Sequence, residues 1–410
     1  MIMIQAHSNS EDKSAESLEG LRSCGMQSRG AQQICMLGAF PPPVHGMAWL
    51  NYAMREYLHS LGIKVHTVDL SAATLDRHWF ARATRLKKVA GGLFQYARIL
   101  FLYKVKILYL TLSGGYGQVF ELLFVGLARL ARVRMIIHHH SFAYLLHPSR
   151  LTFFLCRCSG PETLHVTGSA GMSELLHTIY GAKNLIDLSN AALVSQQFVC
   201  TPRVRSALRT IGFMGNISHE KGIGEFLEMA KLMEDLGIDV DAVIAGPFQD
   251  PAVEIFVRNK LSTLSRVEYV GAKYGPEKSA YFDTIDVLVF PSKYDNETDP
   301  VTVYEALASG VPVIAWDRGC LSNSIVATAG ELVPRDRDFS PAAIAAIRRW
   351  RDSEEKFRGL SAGARSRFED MASRSLAVLR KVASVSVCGS TEGNKEYSPH
   401  MLNAGKGSEV

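Results

Sequence analysis

Two glutamates with seven residues between them, Glu297 and Glu305, form the pattern in this chain that most clearly suggests ligand chemistry. The segment before them, DVLVFPS, predicts a buried strand, and VTVYEALASG predicts a helix that begins near Pro300 and Val301. Glu297 would then lie in the loop after a strand, and Glu305 inside the helix. Carboxylates accept hydrogen bonds from sugar hydroxyls, and helix N-terminal amides bind phosphate. The spacing suits a ligand with two sugars and a diphosphate, although acids that merely cap a helix would give the same pattern.

A lysine, Lys221, stands at a comparable place earlier in the chain, within FMGNISHEKGIGEFLEMA. The strand predicted there ends at Met214, and Lys221 and Gly222 come directly before a predicted helix. A lysine at such a position puts a point charge beside helix amides, where a phosphate binds. The alternative is an exposed turn lysine. The P-loop pattern G-x-x-x-x-G-K-[ST] is absent from the sequence.

Three consecutive histidines end the predicted strand VRMIIHHH. Strand alternation puts His138 and His140 on one face and His139 on the other. His140 is nearest the strand end, so it is the favoured candidate for a ligand contact. A metal-binding pair of histidines is the alternative.

The elements that must position these residues are short apolar strands that alternate with helical patterns. This alternation predicts parallel sheets with helices on both faces, and therefore an α/β fold of two Rossmann-like domains that face each other across a cleft. A Pro-containing basic segment interrupts the pattern between the domains. The predicted division is a disordered extension 1–30, a first domain 31–197, a linker 198–208, a second domain 209–365, a last helix 366–385 and a disordered tail 386–410.

The composition excludes several classes of protein. No run of eighteen apolar residues is present, and the N-terminal residues lack the pattern of a signal peptide. The seven cysteines are scattered and form no C-x-x-C, which predicts reduced thiols. The net charge of +5 is too small to indicate nucleic-acid binding. We therefore expect a cytoplasmic protein that does not bind nucleic acid.

The stretch from Arg77 to Lys106 is unusually basic. It contains eight Lys or Arg and no Asp or Glu, with aromatic residues between the charges. The pattern predicts either a solvated helix beside a buried one or a surface that rests on anionic lipid headgroups. In the second case the protein would be peripheral at the inner face of the plasma membrane.

The segments around Lys221, Glu297 and Glu305, with VIAGP, VEYVG and ALASGVPVIAWDRG, resemble the C-terminal domain of family 4 retaining glycosyltransferases of GT-B fold. The two glutamates match that family's Glu-x7-Glu motif. MLGAFPPPVHGMAWLNYAMREYLHSLG resembles its first strand, loop and helix, and GGYGQVFELLFVGLARLARVRMIIHHHSF resembles the subset that builds bacterial surface polysaccharides. The resemblance implies an acceptor domain at 31–197, a donor domain at 209–365, and a helix 366–385 that crosses back to the first domain.

The resemblance also implies roles for individual residues. Glu297 would contact the transferred sugar, Glu305 the nucleotide ribose, and Lys221 the diphosphate. His140 would lie near the transferred sugar, so the catalytic set is His140, Lys221 and Glu297. The wider donor-binding set adds Gly46, Asn216, Glu305 and the amides of Val301, Thr302 and Val303, with His138 and Asn190 as further candidates.

Two positions depart from the family pattern. Asn216 stands where the family usually has Arg, and a neutral amide cannot supply the charged, bidentate contact that Arg makes to a diphosphate. Lys221 or a helix dipole must then supply more of that charge. Asp299 stands where the family often has an aromatic residue, which would alter the sugar pocket.

The expected reaction is transfer of a sugar, of the hexosyl type, from a nucleotide-diphosphate-sugar to a hydroxyl of a lipid-linked saccharide in polysaccharide biosynthesis. The resemblance implies retention through attack on the same face, because the motifs contain no obvious carboxylate nucleophile. No metal or cofactor is expected, since the DVD at 239–241 precedes a strand rather than following one. Two alternatives are a nucleotide-sugar epimerase on the same scaffold and a non-catalytic partner that binds saccharide or nucleotide.

Overall fold

The computed structural model describes residues 33–71, 79–201 and 203–388, except for the side chains of 79–85 and 387–388. These residues divide into two compact units. The first contains 33–140, 144–188 and the chain from Leu376 onward, and the second contains 141–143 and Ser189–Ser375. The predicted extension 1–30 and all but the first residues of the predicted tail 386–410 lie outside the described residues.

The first unit is built on a six-stranded parallel sheet in the order β2-β1-β3-β4-β5-β6. Its strands are β1 Gln33–Gly38, β2 Lys64–Asp69, β3 Ile107–Leu112, β4 Arg134–His139, β5 Leu164–Thr167 and β6 Asn184–Asp187. The helices along this part of the chain are α1 Gly46–Ser60, α2 Trp79–Tyr103, α3 Gln118–Leu130, α4 Ala143–Leu146, α5 Arg150–Ser159 and α6 Ala170–Tyr180.

The second unit repeats the plan with the strand order β12-β11-β10-β7-β8-β9, again all parallel. Its strands are β7 Thr210–Met214, β8 Asp241–Ala245, β9 Val267–Tyr269, β10 Val287–Phe290, β11 Val313–Trp316 and β12 Gly330–Val333. The helices are α7 Ala191–Gln197, α8 Ile223–Asp235, α9 Pro251–Leu261, α10 Pro276–Thr284, α11 Val301–Ala308, α12 Leu321–Ser324 and α13 Phe339–Arg351. The last helix, α14 Glu354–Cys388, begins in the second unit and belongs to the first from Leu376 onward.

The central strands are buried because their residues are apolar on both faces. All six residues of β3 and all four of β10 are buried, as expected for parallel strands covered on both sides. In the second unit, apolar side chains of α8 and α13 pack with β7, β8 and β10 into one core. The burial of this continuous apolar surface holds the strand ends, and hence the loops that follow them, in fixed positions.

The strands and helices predicted around the candidate residues are confirmed. β10 is followed by a loop and then by α11, which begins at Val301 as predicted. Helix α14 starts at Glu354, earlier than the predicted last helix 366–385, and runs to Cys388. The domain boundaries placed at 197, 209 and 365 stay predictions; the two compact units divide at Leu188 and Ser375.

Candidate active site

An ion pair between Lys221 and Glu297 joins the loops that follow β7 and β10. The two strands are neighbours in the second sheet, so their carboxyl ends meet. Lys221 Nζ lies 2.5 Å from Glu297 Oε2, and the same oxygen accepts a hydrogen bond from Ser292 Oγ at 2.9 Å. Lys221 Nζ also lies 4.8 Å from the ring centroid of Tyr294. The structure thus brings together two side chains that the sequence predicted at separate strand ends.

Gly222 fixes the course of the chain at Lys221. Its φ of +83° is left-handed, and it is the N-cap of α8. A Cβ at this position would lie 2.1 Å from the Pro291 carbonyl oxygen. A larger residue would therefore both strain the backbone and push the two loops apart. Lys293 N, which donates to Glu220 O at 2.8 Å, is a second tie between them.

Glu305 is buried in α11 and pairs with a lysine that the sequence reasoning missed. Its side chain is 3% exposed, and Lys278 Nζ of α10 lies 2.5 Å from Oε2. Burial raises the pKa of Glu305, and the Lys278 ammonium opposes that rise. Lys278 favours the charged form of Glu305, which lies on a rigid helix where its carboxyl oxygens can accept hydrogen bonds from a ligand hydroxyl. The polar pattern of α10 gave no signal that distinguished Lys278 from its neighbours.

The first turn of α11 presents the backbone amides that were predicted to bind phosphate. Pro300 precedes the helix in an extended conformation. The amide of Val303 donates to the Pro300 carbonyl at 3.1 Å, so it is engaged within the turn. The amides of Val301 and Thr302 are the first-turn donors that a helix leaves without a partner inside the helix. The phosphate role of all three amides stays a prediction.

Asp299 lies at the centre of a buried hydrogen-bond network. Its Oδ2 accepts from Asn190 N at 2.7 Å, and its Oδ1 accepts from Tyr304 OH at 2.5 Å. Tyr304 OH also bonds with Ser189 Oγ and Ser324 Oγ. Burial raises the pKa of Asp299 to about 6, although these hydrogen bonds favour the carboxylate.

The same network engages the amide of Asn190. Asn190 Nδ2 donates to the backbone carbonyl of Asp299 at 2.6 Å, and the residue is the N-cap of α7. The structure therefore gives Asp299 the task of holding the chain before α11 against Asn190. An aromatic residue at 299 would keep this backbone acceptor but could not accept the bonds that the Asp299 carboxylate takes from Asn190 N and Tyr304 OH. The sequence indicated an altered position here, but not its partners.

Arg318 holds the loop that carries Glu297 from the side of β11. Its side chain is 8% exposed. Its Nη1 donates to Ser292 O at 3.1 Å and its Nη2 to Asp295 Oδ1 at 2.9 Å. The next residue, Gly319, has φ +58°, and a Cβ there would lie 2.8 Å from the Glu297 carbonyl oxygen. Sequence reasoning missed Arg318 because it follows β11 and not the strand before the glutamates.

The three histidines belong to a cluster in the first unit. The rings of His138 and His140 lie with centroids 4.0 Å apart, whereas His139 Nε2 lies 3.0 Å from His165 Nδ1. The predicted alternation of the three side chains is therefore confirmed. Burial lowers the pKa of His140 and of His165 to about 4, so both are neutral at pH 7. Within the described part of the chain, His140 Nε2 is buried without a hydrogen-bond partner.

Two predicted donor-site residues, Gly46 and Asn216, have few contacts that bear on their roles. Gly46 begins α1, and a Cβ there would meet no described atom within 4 Å, so packing within the chain does not demand glycine. Asn216 follows Gly215 just after β7 and is partly exposed. Their roles in ligand binding stay predictions.

Comparison with known proteins shows a family to which most of the second unit is similar. Residues 203–367 match the model of the family described as glycosyl transferases group 1. This range contains Lys221, Glu297 and Glu305. The part of the chain that is similar to this family is therefore the part that carries the candidate donor-site residues, and the similarity agrees with the predicted glycosyltransferase.

The matching relatives share only part of the chain. A GDP-mannose-dependent alpha-mannosyltransferase of Mycolicibacterium smegmatis is 37% identical over 110 residues. That segment is 27% of this chain and 26% of the relative, so the chain matches about a quarter of that relative's length.

Solved structures match over most of the chain. Sucrose-phosphate synthase from Thermosynechococcus elongatus has a TM-score of 0.64 at 16% identity, covering 86% of this chain and 100% of that one. HepE from Anabaena, in complex with UDP-glucose, has a TM-score of 0.61 at 13% identity, covering 87% and 100%. At these identities the likeness shows the fold alone. Together with the two parallel sheets, it confirms the predicted α/β fold class of GT-B type.

Two features are absent from the residues that the structure describes. No helix there combines the length and apolar character needed to cross a membrane. No group of three or more His, Cys, Asp or Glu side chains in those ranges is placed to hold a metal ion.

Proposed function

We propose that this protein transfers a sugar from a nucleotide-diphosphate-sugar to a hydroxyl of a saccharide, with retention at the anomeric carbon. The observation that carries the proposal is the Lys221–Glu297 pair, which lies within the matched glycosyltransferase domain. It follows the carboxyl ends of two neighbouring parallel strands, where ligands of open α/β sheets bind. The same loop leads into the N-terminus of α11, which suits a diphosphate.

Four charged residues of the second unit, Lys221, Lys278, Glu297 and Glu305, have roles in this proposal. Glu297 accepts hydrogen bonds from hydroxyls of the transferred sugar, and Glu305 accepts them from the ribose. Lys221 and the amides of α11 stabilise the charge on the diphosphate. Lys278 keeps Glu305 ionised and ordered for the ribose. Because Asn216 carries no charge, Lys221 supplies the main positive charge of the β7 loop to the leaving group.

The proposed chemistry needs no covalent intermediate on the protein. The bond between the anomeric carbon and the diphosphate oxygen breaks, and a bond to the acceptor oxygen forms on the same face. The acceptor hydroxyl gives its proton to the leaving diphosphate oxygen. His140, whose pKa of about 4 leaves it neutral at pH 7, contributes a hydrogen bond near the transferred sugar rather than a charge.

The proposed acceptor is a lipid-linked saccharide of polysaccharide biosynthesis, reached at the inner face of the membrane. The basic stretch from Arg77 to Lys106 supports a membrane-facing role. Its described part exposes Phe94 and Phe101, which are 74% and 83% accessible, beside the exposed Arg98. Aromatic and basic side chains together are typical of surfaces that rest on anionic headgroups.

The test is donor turnover. The protein would be incubated with a panel of GDP-, UDP- and ADP-sugars, headed by GDP-mannose because of the mannosyltransferase relative, and free nucleoside diphosphate would be measured. We expect slow hydrolysis of one donor and its loss in Lys221→Ala and Glu305→Ala. Lys231→Ala, which removes an exposed lysine of α8 that pairs with Asp235, is the matched control.

Each other outcome would favour a different function. Appearance of an epimeric sugar nucleotide without diphosphate release would replace the proposal by an epimerase. An absence of both turnover and donor binding by calorimetry would favour a non-catalytic partner. Binding without hydrolysis would lead to the same assay with lipid-linked acceptors, where continued silence would end the transferase proposal.

A further inference from the structure

The first unit exposes a line of large apolar side chains along α3, a helix that the sequence reasoning did not connect with a surface. Val119, Leu123 and Leu130 recur at helical spacing on one face, and Tyr116 lies in the 3₁₀ turn just before the helix. On α5, which packs against α3, Phe153 and Phe154 are exposed as well. We call these six residues the apolar stripe. Their accessible fractions are 89% for Tyr116, 43% for Val119, 51% for Leu123, 84% for Leu130, 46% for Phe153 and 54% for Phe154.

The topology puts α2, α3 and α5 in one layer. The chain passes from β2 through β3 and β4 to β5 in one direction across the sheet. Right-handed crossovers therefore place the three connecting helices on the same face of that sheet. Helix α3 packs against both α2 and α5, so it lies between them, and α6 continues the layer on the far side of α5. The outward side of this layer combines the stripe with the exposed Phe94 and Phe101 of α2.

The exposed charges on the helices that carry the stripe, α3 and α5, have a single sign, and the exposed acids nearest in the fold are Glu162, past the end of α5, and Glu174 on the neighbouring α6. Residues 77–161 contain thirteen Lys or Arg and one acid, Glu121. Glu121 is 7% exposed and accepts hydrogen bonds from Ser113, so it adds little negative charge to the surface. Exposed arginines flank the stripe at Arg129, Arg132 and Arg157. The next acid along the chain is Glu162, past the end of α5.

We infer that the apolar stripe inserts into the acyl boundary of an anionic membrane while the flanking arginines contact the headgroups. The stripe extends about 16 Å along α3, from Val119 to Leu130, which suits a helix that lies in the plane of the membrane–water interface. An isologous dimer through this face would bring arginines of one copy against arginines of the other, whereas an anionic bilayer neutralises them. The inference rests on the proposed function for its purpose, which is to bring the site to a membrane-held acceptor.

The test compares the full chain with variants in sedimentation with vesicles. One set of vesicles is phosphatidylcholine alone, and the other contains phosphatidylglycerol. The double variant Leu123→Ser with Leu130→Ser should bind the anionic vesicles at least ~10-fold more weakly, because each leucine loses its burial in the acyl region. Arg129→Gln with Arg132→Gln should reduce the preference for phosphatidylglycerol and weaken the salt dependence of binding.

Matched controls come from the second unit. Leu236→Ser and Ile255→Ser remove leucine and isoleucine side chains that are 54% and 60% exposed but lie outside the stripe. Both should bind vesicles like the unaltered protein. Because the substituted stripe residues are exposed, all variants should keep the thermal unfolding midpoint of the parent.

Three results would overturn the inference. The first is vesicle binding by the stripe variant equal to that of its controls. The second is a dimer of the parent protein in solution that is lost in the stripe variant, while vesicle binding is unchanged. The third is absence of vesicle binding by the parent protein at low salt.

Donor hydrolysis measured without lipid separates this inference from the proposed function. Turnover without vesicle binding removes only the membrane surface, and vesicle binding without turnover removes only the enzymatic proposal.

Discussion

Replacement of Arg205 by methionine should strongly destabilise the second unit. The side chain of Arg205 is 1% exposed, and its Nε lies 3.8 Å from Asp286 Oδ1. Its guanidinium donates to four backbone carbonyls, those of Phe282 at 2.5 Å, Ser309 at 2.7 Å, Ile285 at 2.8 Å and Arg203 at 3.1 Å. Three of these carbonyls, those of Phe282, Ile285 and Ser309, lie at the carboxyl ends of α10 and α11, where helices leave acceptors without partners.

The size of the effect follows from those contacts. Methionine fills much of the volume but leaves several buried carbonyls without a donor. Each unsatisfied acceptor costs about 1–3 kcal/mol, and removal of a buried charge recovers part of that through relief of desolvation. We therefore expect a net loss of about 3–5 kcal/mol in the free energy of unfolding of the second unit. Arg205→Lys should lose less, because an ammonium retains three donors but not the planar geometry of the guanidinium.

The assay is urea denaturation followed by hydrogen exchange, which assigns each transition to one unit. In Arg205→Met, the backbone amides of α10 and α11 should lose their protection from hydrogen exchange at the lowest urea concentrations. Donor binding should fall only at urea concentrations at which these helices have opened. Arg209→Met is the control, since that side chain is exposed. A loss below about 1 kcal/mol in Arg205→Met would refute the reasoning, because water or other donors would then be satisfying the carbonyls.

Three further perturbations test other parts of the structure. Gly222→Ala should lower the free energy of unfolding by about 3 kcal/mol, because φ is +83° and the added Cβ would meet Pro291 O. Gly224→Ala is the control, because the space around its Cβ is open, and its urea midpoint should be unchanged or higher. The pKa of Asp299 is about 6, so protonation of its carboxylate should weaken donor binding as the pH falls through 6. Asp299→Asn should remove this pH dependence, and a pH dependence that persists in the variant would exclude Asp299 as its source. His165 is buried and neutral, with a pKa of about 4 against 6.5 when exposed. The unfolded chain therefore takes up the proton first, and stability should fall by about 3 kcal/mol between pH 6.5 and 4, a slope that His165→Gln should reduce in urea titrations.

Asn216 shows how much a departure from the pattern of the resembled family can predict about a site. The sequence indicated a missing charge but not where compensation would come from. In the structure, the cations nearest the glutamates are Lys221, which pairs with Glu297, and Lys278, which pairs with Glu305. Arg318 is a third cation, but its guanidinium is occupied by Ser292 O and Asp295.

The sequence by itself determined the strands and helices around the candidate residues and the position of the chemistry at strand ends. Apolar runs such as those of β3 and β10 are local, and so is the spacing that puts Glu297 in a loop and Glu305 in a helix. The alternation of His138, His139 and His140 followed from strand geometry alone. These features depend on residues that are close in the chain, so a pattern can predict them.

Only the tertiary structure decided which side chains meet. Lys221 and Glu297 are 76 residues apart, and Asn190 and Asp299 are 109 apart, so no periodicity relates them. The pairing of Glu305 with Lys278, and the caps that Arg205 provides, likewise arise where the packing of different helices removes polar groups from water and requires a partner for each. The physical reason is that burial is a property of the whole fold, and burial is what turns these separate residues into a network.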